Sequence, residues 1–119
     1  MEIKLIGEKR TILIKVEGEL DHHMAGKIKD AADRKMRSTN AVNVIFDLSG
    51  MTFMDSAGIG VMMGRYKKAR TLGGRTVIYG TDAQTLRIIK MSGMDKVIKI
   101  VPGLEKAIRY IDKGEIYNG

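Results

Sequence analysis

Three observations predict an α/β fold built on a mixed, mostly parallel sheet. Apolar residues switch repeatedly between strand and helix periods, giving the order ββαβαβαβα. The run Val42-Asn43-Val44-Ile45-Phe46 is nearly unbroken in apolar character, as a central strand covered on both faces requires. The 119 residues, 44% hydrophobic and 29% charged, suffice for one core and leave little room for a second, so one domain over residues 1–119 is expected.

The elements follow in order. Ile3 to Ile6 and Thr11 to Glu17 flank Gly7-Glu8-Lys9-Arg10, and the second run alternates Ile12, Ile14 and Val16 against Lys15 and Glu17, which reads as an antiparallel hairpin. From His22 to Ser38, Met24, Ala25, Ile28, Ala31, Ala32 and Met36 recur at helical steps, with Asp21 suited to cap the start and Asn40 the exit. After the central strand, a second helix over Ala57 to Leu72 carries Ile59, Met62, Met63, Tyr66 and Ala69, and stops at Gly73-Gly74. Arg75 to Tyr79 reads as a strand. Asp82 caps a shorter helix through Met91 that ends at Gly93, and Lys96 to Val101 reads as the last strand. A final helix starts near Pro102, with Leu104, Ala107, Ile108 and Ile111 on one stripe. The sheet is thus parallel apart from its first hairpin and is covered by about four helices.

Composition narrows the chemistry. There is no cysteine, which removes disulfides, thiolate metal sites and a cysteine nucleophile. No apolar run reaches the ~18 residues of a membrane span, and Met1-Glu2-Ile3-Lys4-Leu5 lacks the apolar stretch of a signal peptide, so a cytoplasmic protein without membrane contact is expected. The net charge of +7 favours acidic contacts. Its Lys and Arg residues interleave with apolar ones and sit beside no aromatic stacking platform, which reads as solvated helix faces and not as a DNA-binding footprint.

The informative segment runs from Asp47 to Gly60 and connects the central strand to the second helix, where α/β folds place functional loops. Asp55 or Ser56 is the natural N-cap. Gly58, Gly60 and Gly64 form an unusual density for a helix, since each costs about 0.8–1 kcal/mol relative to Ala. Either the helix approaches the sheet closely along Gly60 and Gly64, or bare backbone at Gly58 and Gly60 admits a partner or a phosphate. A dinucleotide fingerprint fails because the third glycine falls one residue late, and no Walker loop exists. A hydrolase built on Ser56 with His22 or His23 is a rival reading, but the elbow glycine is replaced by Met54. The adjacent histidines lack the i, i+4 spacing of zinc ligands, and no metal or cofactor site is expected.

Taken together, Gly18-Glu19-Leu20-Asp21-His22-His23, Phe53-Met54-Asp55-Ser56-Ala57-Gly58-Ile59-Gly60-Val61, Gly64-Arg65-Tyr66-Lys67 and Met91-Ser92-Gly93 closely resemble the STAS domain of anti-sigma factor antagonists, most nearly those of the stage II sporulation type. The resemblance runs over essentially the whole chain. It implies a STAS fold and a non-catalytic, cytoplasmic partner-switching protein that regulates transcription during sporulation, or in a stress-response or other pathway. Unphosphorylated, such a protein binds an anti-sigma factor that is also a serine kinase and so releases a sigma factor. Phosphorylation switches binding off and a serine phosphatase resets it. By motif matching the acceptor is Ser56, and Asp21, Asp55, Ser56, Ala57, Gly58 and Gly60 shape the docking surface. Asp55 either orients the serine hydroxyl or only caps the helix. The kinase brings the ATP, direct DNA binding is not expected, and the free protein is expected to be a monomer. Many relatives carry a second serine where this chain has Ala57, and the strong positive charge is this chain's own.

Overall fold

The computed structural model describes residues 1–7 and 9–114. Five strands, β1 (Glu2–Ile6), β2 (Thr11–Leu20), β3 (Asn43–Met54), β4 (Thr76–Tyr79) and β5 (Lys99–Ile100), alternate with helices α1 (His22–Thr39), α2 (Ser56–Thr71), α3 (Ala83–Ser92) and α4 (Leu104–Lys113). The strands lie side by side in sequence order; β1 and β2 form the antiparallel hairpin and every later pairing is parallel. Three successive crossovers in one direction between parallel neighbours, a connection that is right-handed almost without exception, put α1, α2 and α3 on the same face. That face holds the larger core, in which Ile12, Ile14, Val44, Phe46 and Ile78 meet Ile28, Met36, Met62 and Ile89. On the other face Leu13, Ile45 and Val77 pack under Ala107 and Ile111 of α4. Strand β3 is central, as the Val42–Phe46 run predicts, and its alternate residues feed both cores.

The caps are where the residue types put them. The Asp21 carboxylate accepts from Met24 N–H at 2.9 Å, Asp55 from Ala57 N–H at 2.8 Å, and Asp82 from Thr85 N–H at 2.7 Å. Asn40 and Gly93 end α1 and α3 in the left-handed region, at φ 56° and 80°.

Three expectations are corrected. The stretch from Asp47 to Met54 is no connecting loop: β3 continues to Met54 beside a β2 that continues to Leu20. Two register shifts along this pair put Leu48, Met51 and Met54 inside at every third residue, which breaks the two-residue alternation by which a strand is recognised. The last strand shrinks to Lys99–Ile100, because Gly93 turns the chain into a short 3₁₀ segment, Met94–Lys96. The last helix begins at Leu104 after Gly103, and its Leu104 is exposed while Ala107 and Ile111 are buried.

Candidate functional site

Because β2 and β3 run parallel and end in register at Leu20 and Met54, the next residue of each, Asp21 and Asp55, caps a helix at the same edge of the sheet. The starts of α1 and α2 are thereby set side by side at the carboxyl edge, where parallel sheets commonly bind partners and ligands. Asp55 is held further by its own N–H, which donates to Leu20 O at 3.4 Å. Of the two cap candidates the structure selects Asp55. Ser56 is the first residue of α2, it is exposed, and among the described residues its hydroxyl makes no hydrogen bond.

The glycines divide by side. Gly58 is buried, and a Cβ built there would lie 2.5 Å from Met54 Cγ and 3.0 Å from Leu20 Cδ2, so its bareness lets α2 seat on the two strand ends. The expectation that Gly58 offers backbone to a partner is therefore corrected: it lies under the helix. At Gly60 and Gly64 a Cβ would meet nothing within 4 Å, so these are not the positions of close helix-to-sheet approach. They open instead onto a cleft of about 350 Å³ between the two helices. Helix α1 contributes His22, Ala25, Gly26 and Lys29 to it, and α2 contributes Ala57, Gly60, Val61, Gly64 and Arg65. Ala57 lines this cleft directly beside Ser56.

The inner end of the cleft is charged. Arg65 is only 6% exposed, and its Nε stands 3.1 Å from Asp33 Oδ1 of α1, with Lys68 Nζ 3.5 Å from the same oxygen. The Nε contact is too bent for a hydrogen bond, and Arg65 Nη1 is buried without one. The sequence reads Arg65 as a solvated charge, as it does Lys29, which is indeed exposed. Arg65 stands instead on the buried stripe Gly58, Val61, Met62, Arg65, Ala69, shifted round the helix from the expected Ile59, Met62, Met63, Tyr66, Ala69. Its three-residue step from Met62 was the signal. Gly26 and Asp33 were not singled out, and an exposed glycine inside α1 was the only cue to the former.

Other hydroxyls nearby are engaged or differently placed. Ser49 Oγ donates to Asp47 Oδ1 at 2.6 Å, and Ser49 N–H to the same oxygen at 2.9 Å. Burial alone would raise the Asp47 pKa, but these two bonds, the Tyr79 hydroxyl and the charge of Lys15 outweigh it, holding the carboxyl below its ordinary value. Burial, reinforced by the adjacent Asp47, pushes the Tyr79 phenol up to about 12. Neither His22 nor His23 hydrogen-bonds to Ser56 among the described residues, and Asp21 and Asp55 both serve as caps. No group of three or more His, Asp or Glu suited to hold a metal occurs among them.

Comparison with known proteins decides the family, since the STAS-domain profile matches residues 2–107. The chain belongs to the STAS-domain family. This STAS domain is 28% identical over 100 residues to the anti-sigma F factor antagonist of Paenibacillus polymyxa, covering 84% of this chain and 86% of that one. It is 30% identical over 85 residues to the anti-sigma-B factor antagonist of Listeria monocytogenes, covering 71% and 74%. Among solved structures, the anti-sigma factor antagonist SpoIIAA in its unphosphorylated form superposes with a TM-score of 0.76 at 21% identity, over 94% of this chain and 97% of that one. The phosphorylated form of SpoIIAA from Bacillus gives 0.72 at 24%, over 92% and 97%. At these identities the structural likeness is one of fold. No helix among the described residues is long and apolar enough to cross a membrane.

Proposed function

We propose that this STAS domain is an anti-sigma factor antagonist whose hold on its partner is switched by phosphorylation of Ser56. Unphosphorylated, it docks through the carboxyl edge onto an anti-sigma factor that is also a serine kinase, and a sigma factor is released. The kinase supplies ATP and transfers the phosphoryl group to Ser56, and a serine phosphatase removes it. The protein acts as a single domain over residues 1–119, cytoplasmic and monomeric when free, and is substrate and ligand rather than catalyst. Asp21, Asp55, Ala57 and Gly60 shape the docking surface around Ser56, with Gly58 seating the helix beneath it.

The carrying observation is the exposed, unengaged Ser56 hydroxyl at the first residue of α2, beside the open cleft, while Ser49 is tied to Asp47. That SpoIIAA occurs in unphosphorylated and phosphorylated forms supports the reading, as do the names of the relatives. A phosphoserine carries about 1.5–2 negative charges, and at a helix start it meets the positive end of the dipole, so the domain stays folded. In a desolvated contact the same charge is costly, and about 2.8 kcal/mol is enough for a hundredfold loss of affinity. Sporulation is the proposed pathway. The antagonists of sigma F and of sigma-B lie at nearly equal identity, which favours a stress-response or other regulatory pathway as the second reading.

The test is incubation with the cognate anti-sigma kinase, ATP and magnesium, followed by intact-mass measurement and site mapping. One phosphate on Ser56 and none on Ser56→Ala is expected. Phosphate mapping to Ser49 or Thr52, or phosphorylated protein competing for the kinase as well as unmodified protein, overturns the assignment.

A further inference from the structure

The net charge of this chain has one address. Helices α1 and α2 together hold nine Lys and Arg residues against two acidic ones, Asp30 and Asp33, a surplus of seven. The rest of the chain, the capping Asp21 and Asp55 included, holds twelve basic residues against twelve acidic and is neutral. The whole surplus of +7 therefore sits on the helix pair that carries Ser56. Six of the nine, Lys27, Lys29, Arg34, Arg37, Lys67 and Arg70, are exposed. Cations near a helix C-terminus are ordinary, since they complement the dipole. That accounts for Arg37, Lys68 and Arg70, in or beside the last turns, but not for Lys27 and Lys29 in the first half of α1.

Between these helices the cleft is floored by bare or short positions, Gly26, Gly60 and Gly64, each with open space where a side chain would stand. Lys29 and Arg65 line it, and the acidic Asp33 at its inner end is already committed to Arg65 and Lys68. Arg65 adds an independent sign of incompletion: nine-tenths buried, it keeps two guanidinium nitrogens, Nε beside Asp33 and Nη1, without a hydrogen-bond partner among the described residues. A buried donor left unpaired is costly and is normally satisfied.

We propose that the cleft between α1 and α2 receives an acidic protein segment, one that seats an apolar side chain over Gly60 and Gly64 and sets a carboxylate against Lys29 at the Arg65 end. The inference rests on the antagonist reading and names the chemistry of its partner. It also gives the switch its sign. Against an acidic partner a phosphate on Ser56, one residue from the cleft, repels, whereas against a basic partner the same phosphate would attract. A narrow cleft with an apolar floor fits a side chain; nucleic acid, which is read by exposed cations with aromatic stacking or groove insertion, gains nothing from it.

The experiment measures affinity of the unphosphorylated full chain for the cognate anti-sigma kinase by calorimetry, across a salt series. Lys29→Glu is expected to weaken binding by about tenfold, and Gly60→Leu, which fills the cleft, by at least about tenfold. Arg87→Glu, the same charge change on exposed α3, is expected to stay within about twofold. Raising salt from about 0.05 to 0.3 M is expected to weaken the wild type and to act less on Lys29→Glu. Circular dichroism and thermal melts verify that the variants fold. Wild-type affinity in Lys29→Glu and Gly60→Leu overturns the acidic-segment proposal and leaves the antagonist reading standing. Failure of the wild type to bind the kinase at all sinks the antagonist reading itself. Tighter binding by Ser56-phosphorylated protein, or micromolar binding of a duplex DNA fragment at physiological salt lost in Lys29→Glu, assigns the surface to a different partner and overturns the proposal.

Discussion

The underside and the outer side of the first two turns of α2 use the same residue for opposite ends. Below, Gly58 removes a side chain so that the helix can seat against Met54 and Leu20; above, Gly60 removes one that would have met nothing. The underside is a packing solution, and any added atom there must displace the sheet. On the outer side each bare position forgoes helix propensity of about 0.8–1 kcal/mol with no contact in the free protein to offset it. A cost carried without return in the isolated molecule points to a return made elsewhere, in the complex. The contrast extends to charge, since Asp33 and Arg65 bind the two helices to each other at the inner end of the cleft, while Lys29 stands exposed along it.

The largest expected effect is therefore at that inner end. Asp33→Ala leaves the nearly buried Arg65 guanidinium without its counter-charge and is expected to cost about 3 kcal/mol in chemical denaturation, whereas Arg65→Met, which removes the buried charge, costs much less. Equal losses in the two variants would mean that the pair acts as ordinary surface charges. Next comes Gly58→Val, expected to destabilise by about 2 kcal/mol through overpacking against Met54 and Leu20. A neutral result would show that the helix can slide outward, and the distinction between its two sides would lose its basis.

Much of this was legible from residue types alone. Capping chemistry is local, so Asp21, Asp55 and Asp82 could be placed before any packing was known, and a run such as Val44-Ile45-Phe46 has only one comfortable place in a sheet. The continuation of β3 was hidden because its register shifts replace alternation by a three-residue repeat, and register depends on the partner strand. Arg65 was hidden for a related reason: a charged residue on a buried stripe reads as a phase error until the carboxylate on the neighbouring helix is seen. The glycines were legible as an anomaly, but which side each served depended on how α2 rotates over the sheet.

Smaller effects test the capping residue between the two sides. Asp55→Ala is expected to lose about 1 kcal/mol, the usual worth of an N-cap. Asp55→Ser keeps a cap oxygen and loses the carboxylate, so its stability should be nearly that of the wild type. Its phosphorylation rate then separates the two roles left open by the sequence. An unchanged rate assigns Asp55 to capping, and a rate reduced by an order of magnitude at unchanged stability and kinase affinity assigns it to orienting the Ser56 hydroxyl.

The smallest shift is the most diagnostic, because its sign differs from all the others. Gly60→Ala adds one methyl group to an exposed helix position with open space around it, so it should stabilise the free domain by up to about 0.8 kcal/mol, seen as a raised melting temperature. If the outer side is kept bare for docking, the same methyl weakens kinase binding even as the fold gains. Stability and affinity then move in opposite directions from a single atom. A variant that gained stability and kept its affinity would mean that the partner never reaches Gly60, and the contrast between the two sides would be one of packing alone.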